Sequence, residues 1–556
     1  MLPRLYEDEH YVFLAKPSGL SVSTPVRGVA WGVVEAVERL QAGGEYRGLR
    51  TCYRLEKYTS GVLGLAKSAP AAEKFRELAE ADRVTARFVA VVRGKPQTGS
   101  QGVGRRAGAD PAPGRRDTTT VEGADVRVMR QLGDRGLVRV TCRHVRGSKV
   151  RAILRGVHAP VLGDARFDPR PNRKQSGRFY LHLERLEFEH PFSGKMVSVT
   201  AEVPGSFGAA VRAEARGSEP GEQLLEGHLE VALASRMPLL LDDDTNTYRL
   251  FNGKADGISG LIADKYADVV IVQTLQGKFD GGDRTLQRLA AWYGRRLGAR
   301  AVYAKNIPHD RSGPPGADGD ARSGRCQPAA TDSLKDPKPI WGRSTEPDVM
   351  VREHGGNYLI RPYDGYLAGL FLDQRENRRL IGELAAGRRV LNLFAYTCSF
   401  SVAAAKGGAK STASVDVARK FLEWGKRNFA ANGIALDDHR FYCSEVFDYF
   451  KRARRQGHCF DVIVVDPPTF GRTKKPPRTF QVIKDMAGLI EGALGLLSDG
   501  GYMLVSTNHH MLSARWLREQ ITAAAGSRPF KVTGTPDAPP DFAGARDAAK
   551  SIWVQF

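Results

Sequence analysis

The sequence predicts a multidomain protein: an α+β domain, a small β-rich domain, and an α/β doubly wound domain of Rossmann-like type. Three observations predict it. Residues 1–204 hold short β-branched or aromatic runs closed by turn residues, with a helical stretch between two of them. Residues 369–556 alternate continuous apolar strands with helices, the pattern of a parallel sheet covered on both faces. Residues 224–368 carry further strand signals without that alternation.

Taken in order, the strands of the first domain are "EHYVFLAKP", "GVLGLAK", "RFVAVVRG", "LVRVTCRHV" and "RLEFEHP", and "APAAEKFRELAEA" is its helix. "GSFGAAVRAEARGSEPGEQ" (205–223) follows and reads as an interdomain linker. "TYRLFNG", "DVVIVQTL" and "NYLIRPY" are the strands of the middle region. In the last domain "RRVLNLFAY", "KSTASVD", "CFDVIVVDPP" and "GGYMLVST" are strands, separated by helices such as "VARKFLEWGKRNFAANG" and "FQVIKDMAGLIEGALGLL". Two segments, 97–120 and 310–339, are rich in Gly, Arg, Pro and Asp and read as mobile insertions.

The chain has 556 residues, 42% of them hydrophobic, enough for several cores. Its 83 basic residues exceed its 62 acidic ones, giving a formal charge of +21. That excess favours a polyanionic partner, and nucleic acid is the usual one; a generally basic composition is the bland alternative. Six scattered cysteines form no CxxC pair or Cys/His metal spacing, which points to a reducing cytoplasm and no metal site. The N-terminus is not a signal peptide, and no apolar run reaches membrane-spanning length.

The chemistry concentrates near the C-terminus. "VLNLFAYTCSFSVAAAKGGA" (390–409) is a strand, a tight turn and a helix, and ligands of open α/β sheets bind at the carboxyl ends of strands. The next strand ends in Asp416, 24 residues after Asn392, near the spacing at which an acid meets a ribose diol. A third strand leads to Glu445. A fourth leads to Asp466, with Pro467 and Pro468 ending the strand and fixing the backbone. The first loop has Cys398 where a glycine is expected, so a nicotinamide or phosphate cradle fits poorly. A cofactor with ribose and adenine but no pyrophosphate fits better, which points to S-adenosylmethionine; an α/β domain of unspecified ligand is the alternative.

Residues 224–556 resemble the class I methyltransferases that modify large-subunit ribosomal RNA. "DTNTYRLFNGKADGISGLIADKYADVVIVQ", "GLFLDQRENRR", "VLNLFAYTCSFSV", "VDVARKFLEWGKRNFAANG" and "DPPTF" carry the resemblance, in family order. It implies that the loop around Asn392, Phe394 and Tyr396 receives the cofactor. It also puts Asp416 on the ribose, Glu445 near the adenine, Gln374 and Arg375 beside the cofactor, and Asp466 at the transfer site.

Methyl transfer to guanine N7 uses an existing lone pair and mainly needs alignment. Cytosine C5 needs a cysteine thiolate to add to the ring first. The family's cytosine enzymes carry that cysteine at the end of the strand after Asp-Pro-Pro. Here Thr507 stands there with Asn508 beside it, while Cys398, Cys443 and Cys459 fall in or before earlier loops. Guanine N7 is therefore favoured, with Asn508 at the transfer site.

Residues 1–204 resemble the pseudouridine synthases of ribosomal and transfer RNA, through "LYEDEHYVFLAKPSGLSV", "RLEKYTSGVLGLAKS", "APVLGD" and "RFYLHLERLEFEHPFSGK". The family's catalytic aspartate falls at Glu56, one methylene longer, and a misplacement of about 1 Å can cost on the order of 10²-fold. The family's "K-x-Y" tyrosine is Phe88, and its "HQIR" is "SKVR", in which Arg151 remains to pair with Glu56. The domain therefore reads as a degenerate RNA-binding module whose arginines contact phosphates. The leading expectation is an S-adenosylmethionine-dependent cytoplasmic enzyme acting on RNA of the 23S type or on a pre-ribosomal particle. A bifunctional enzyme that also isomerises uridine through Glu56 is the alternative, and a non-catalytic RNA-binding assembly factor is the third reading.

Overall fold

The structure is a computed structural model. It describes residues 2–22, 33–34, 37, 48–96, 118–121, 123–167, 179–213, 222–307, 338–363, 368–474, 477–545 and 548–556. The expected insertions at 97–120 and 310–339 lie largely outside the described residues; Thr118–Val121, at the end of the first, is a strand. The chain divides into two compact units: Met1–Asp242 with Gly253–Ser259 and Asp280–Arg288, and Asp243–Asn252 with Gly260–Phe279 and Leu289–Phe556.

The first unit is built on one ten-stranded sheet. Its main path runs Arg4–Glu7, Tyr11–Lys16, Thr59–Ala66, Leu181–Glu189, Val84–Arg93, Arg135–Cys142, Ala124–Leu132, Thr118–Val121. Thr59–Ala66 and Leu181–Glu189 pair in parallel, with Gly61 facing Leu183. A side chain at Gly61 would meet the Leu183 carbonyl at 2.1 Å, so only glycine fits. Helix Ala69–Glu80 starts where Ser68 accepts the Ala71 N–H and Pro70 fills the first turn. It buries Ala71, Ala72, Phe75 and Leu78 on the sheet. Helix Gly147–Gly156 buries Val150, Arg151, Ile153 and Leu154.

The expected linker at 205–223 is in its first part a helix, Gly205–Arg212, that belongs to this unit. Phe207, Ala210 and Val211 share one apolar cluster with Val89, Val91 and Leu162 on the other sheet face. Small residues let the helix lie close, so a composition that resembles a linker makes a packed element. Helix Glu222–Ser235 continues this layer, and Ser235 Oγ donates to Gly19 O at 3.0 Å.

The second unit holds a five-stranded sheet (Thr247–Asn252, Leu261–Tyr266, Val269–Leu275, Ala301–Ile307, Trp341–Gly342), the hairpin Val349–Glu353/Gly356–Ile360, and a seven-stranded sheet. The boundary expected at 368/369 is not a break in packing. One apolar cluster takes in Tyr266, Ile271, Val351 and Tyr358 together with Val402, Leu422 and Phe429.

The seven-stranded sheet runs His439–Cys443, Ser411–Asp416, Arg389–Leu393, Phe460–Val465, Leu497–Thr507, Lys550–Gln555, Lys531–Gly534. Its first five strands are parallel, and Lys550–Gln555 alone runs antiparallel to both of its neighbours. Ile463 and Val465 enter one apolar layer, Val462 and Val464 the other. Burial on both faces is why these strands read as unbroken apolar runs. Successive strands first step to one side of Arg389–Leu393, then the chain crosses to the other. The carboxyl ends of Arg389–Leu393 and Phe460–Val465 therefore flank a topological switch point, where such sheets bind ligands.

Candidate active site

The turn after Arg389–Leu393 carries three non-glycine residues with left-handed backbone: Phe394 (φ 55°), Tyr396 (φ 47°) and Cys398 (φ 61°). Each such residue costs about 1–3 kcal/mol and persists only where its surroundings hold it. Here Ala395 N donates to Val415 O at 2.9 Å, and Tyr396 N to Asp416 Oδ2 at 2.9 Å. Thr397 Oγ1 donates to Gly369 O at 2.6 Å, and Asn428 Nδ2 to Thr397 O at 2.9 Å. The Cys398 thiol is fully buried against helix Arg419–Ala430, where a side chain at Gly425 would lie 2.4 Å from its sulfur. Burial pushes this thiol up to about 12, so it is no nucleophile at neutral pH.

Asp416 ends the neighbouring strand. Its two carboxylate oxygens accept from Tyr396 N and from Ala418 N (2.8 Å). Burial nonetheless raises its pKa. Val417, next in the chain, leaves 52% of its surface open, an apolar face beside the carboxylate. Glu445 caps helix Val446–Arg455 by accepting the Asp448 N–H at 3.1 Å.

Asp466 sits past the end of Phe460–Val465, ahead of Pro467, Pro468 and the hairpin Phe470–Lys474/Pro477–Gln481. Gln374 Nε2 donates to Asp466 Oδ2 at 3.0 Å and to Ser506 Oγ at 2.8 Å. Asn377 Nδ2 donates to Gln374 Oε1 at 2.6 Å, and Asn377 Oδ1 accepts from Trp553 Nε1 at 3.0 Å. Burial, with the Asp373 carboxylate nearby, pushes Asp466 up to about 7. Phe394 packs its ring 5.5 Å from Phe480 of the hairpin, and Tyr396 lies 4.5 Å from Phe421. Thr507 is fully buried, while Asn508 is exposed and accepts from Thr469 Oγ1 at 3.1 Å.

Two expected cofactor neighbours are buried among protein partners. Arg375 is fully buried in a two-pronged ion pair with Asp541 (3.2 and 2.5 Å), and Asp541 is buried as well. A guanidinium so enclosed braces the protein. Asn392 is 1% exposed, and its Nδ2 donates to Ser401 Oγ at 3.0 Å, tying strand to helix.

In the first unit Arg151 Nη2 donates to Glu56 Oε1 at 2.6 Å, and Arg151 Nη1 to Asp164 Oδ2 at 2.9 Å. Thr59 Oγ1 donates to Glu56 Oε2 at 2.9 Å. The buried Lys16 gives its Nζ to the carbonyls of Pro17, Lys57 and Thr59 (3.0, 3.1 and 2.7 Å), clasping the turn that follows Glu56. Gly147 makes room: a side chain there would lie 2.6 Å from Glu56 Oε2. Phe88, in the tyrosine position, is fully buried in the core and offers no hydroxyl.

Among the described residues no group of His, Cys, Asp and Glu is placed to hold a metal, and no helix is long and apolar enough to cross a membrane.

The strand order, the switch-point turn and its acidic strand ends define an S-adenosylmethionine-dependent methyltransferase, and residues 351–554 match the family model of that description. Residues 10–154 match the model of RNA pseudouridylate synthases. A Bacillus subtilis protein, "Putative ribosomal RNA large subunit methyltransferase", is 34% identical over 298 residues, spanning 53% of this chain and 69% of its own. The Deinococcus radiodurans "Ribosomal RNA large subunit methyltransferase" is 30% identical over 337 residues, 59% of this chain and 78% of its own. The chain belongs to the family of ribosomal RNA large subunit methyltransferases, and it carries a pseudouridine synthase-like domain at its N-terminus. A crystal structure of "a putative methyltransferase complexed with SAH" superposes with a TM-score of 0.53 at 26% identity, covering 65% of this chain and 86% of that one.

Proposed function

We propose that the protein methylates guanine N7 in large-subunit ribosomal RNA, free or in a pre-ribosomal particle in the cytoplasm, while its first unit binds RNA without isomerising it. One observation carries the reading. Asp416 and Asp466 stand at the carboxyl ends of the two strands that flank Arg389–Leu393, and the next strand ends in Thr507 with no thiol. The donor set fits S-adenosylmethionine. The Asp416 carboxylate suits a ribose diol, the open Val417 side chain suits an adenine face, and Glu445 suits its exocyclic amine. Phe394 and Tyr396 shape the turn between them.

The cofactor supplies an electrophilic methyl group. Guanine N7 presents its own lone pair, so no residue has to remove a proton, and the protein's task is alignment. Pro467 and Pro468 fix the backbone at the acceptor side. Gln374, locked by Asn377, orients Asp466, whose ionised form stabilises positive charge developing on the purine ring. Asn508 supplies a side-chain amide at the same edge.

The test is nucleoside mass spectrometry of a large-subunit RNA transcript incubated with protein and S-adenosylmethionine. Expected are 7-methylguanosine with the wild type and none with Asp466→Ala. Methylated cytosine, or no methylated nucleoside at all, would defeat the proposal.

A second reading, the bifunctional enzyme, has its own support in the Glu56–Arg151–Asp164 network and the space at Gly147. New pseudouridine in the same RNA, abolished by Glu56→Ala, would establish it over RNA binding alone.

A further inference from the structure

The segment Asn508–Met511 leaves the sheet beside Asp466. It follows Ser506, which shares Gln374 with Asp466, and the Thr469 hydroxyl ties the stretch after Pro467-Pro468 to Asn508. His509 and His510 lie with their rings parallel, centroids 5.1 Å apart and planes 7° off. His510 and Asn508 are exposed, and Met511 leaves 78% of its surface open. A stacked imidazole pair with an open thioether beside it is an unusual exposed surface for a turn. His509 itself secures the turn: its Nδ1 accepts from Met511 N at 3.2 Å, and its carbonyl accepts from Leu512 N at 3.1 Å and from Lys550 Nζ at 3.3 Å.

These groups match what a base needs once it leaves its helix: a flat face to stack on and a fixed donor at its edge. His509 Nδ1 accepts a backbone N–H, so the neutral ring carries its proton on Nε2. Thr469 on Asn508 Oδ1 leaves the amide's Nδ2 to donate. Guanine offers the acceptor O6 next to N7, whereas cytosine offers an amino donor beside C5 on the same edge. A donating amide therefore accepts guanine and repels cytosine.

We infer that Asn508–Met511 is the acceptor-base platform: the flipped-out guanine stacks on His510 and gives O6 to Asn508. This rests on the methyltransferase reading above and names positioning and specificity residues for it.

The experiment measures methyl transfer by the full chain to the large-subunit transcript at limiting RNA, with S-adenosylmethionine saturating. Base stacking on a side chain of this kind contributes enough that His510→Ala should slow transfer on the order of tenfold. His510→Phe should restore it, and neither change should alter S-adenosylmethionine affinity. Asn508→Asp, which turns the donor into an acceptor, should lose activity on guanine. If the wild type transfers methyl but His510→Ala equals it, or His510→Phe fails to rescue, the platform is refuted and the methyltransferase reading stands. If the wild type transfers no methyl to RNA, both fall.

Discussion

Gly147→Ala tests whether the longer carboxylate at 56 is matched by its surroundings. The added carbon would lie 2.6 Å from Glu56 Oε2, a separation Cβ atoms do not tolerate, so the Glu56 carboxylate must shift, which weakens its bond to Arg151. Breaking a buried pair costs about 3–5 kcal/mol. The Glu56 side chain is 31% exposed and Arg151 keeps Asp164, which brings the cost to about 1–3 kcal/mol. Against this, alanine in place of glycine at the start of Gly147–Gly156 gains up to about 1 kcal/mol. The single variant should be destabilised by about 1–2 kcal/mol, or several degrees in the Tm of the first unit. In a Glu56→Asp background the carboxylate is one methylene shorter and the obstacle is gone. There Gly147→Ala should be neutral or mildly stabilising, a coupling of about 2 kcal/mol. Calorimetry with hydrogen exchange over residues 147–156 reads both backgrounds. Equal effects in the two would show that Gly147 and Glu56 are not fitted to each other.

Asp416→Ala should weaken S-adenosylmethionine binding by about 10- to 100-fold in calorimetry, from the lost charged hydrogen bonds and the released Tyr396 N–H; unchanged affinity would remove the assignment. Asp466→Asn should be more stable than wild type at pH 8 and no more stable near pH 4. The folded pKa of about 7 lies above the unfolded value, so Asp466 favours folding when protonated. That contribution fades as pH rises from about 4 to 7, and asparagine is spared the loss, about 1–2 kcal/mol after allowing for partial exposure. A pH-independent difference would contradict the raised pKa. RNA affinity should fall steeply with salt, given the charge of +21, and a flat response would mean that phosphate contacts do not dominate.

Much of this fold is legible because burial writes itself into composition. Phe460–Val465 is apolar at nearly every position because both sheet faces are covered, and helix Ala69–Glu80 announces itself through Ser68, Pro70 and apolar spacing. What stays hidden depends on partners distant in sequence. Cys398 takes the place of a glycine in the switch-point turn only because Gly425, 27 residues on, leaves space for its sulfur. Arg375 looks like a cofactor neighbour within "FLDQR", yet its partner is Asp541, 166 residues away, and no local pattern separates a buried brace from a site residue. Phe207 turns an apparent linker into a helix through Val89 and Val91, more than a hundred positions earlier.

The same logic bears on Glu56. Read in its local sequence, it is a degraded aspartate. Read with Gly147 and Arg151, it is a carboxylate whose extra length is accommodated and whose charge is met. An unselected relic has no need of both. Within the RNA-binding proposal, that fit makes Glu56 a structural tie between its own turn and helix Gly147–Gly156. On that view Glu56→Ala should loosen the helix, leave Arg151 paired only with Asp164, and lower RNA affinity through the displaced arginine. Methyl transfer at saturating RNA should stay nearly intact. Loss of methylation at saturating RNA would contradict a role confined to RNA binding.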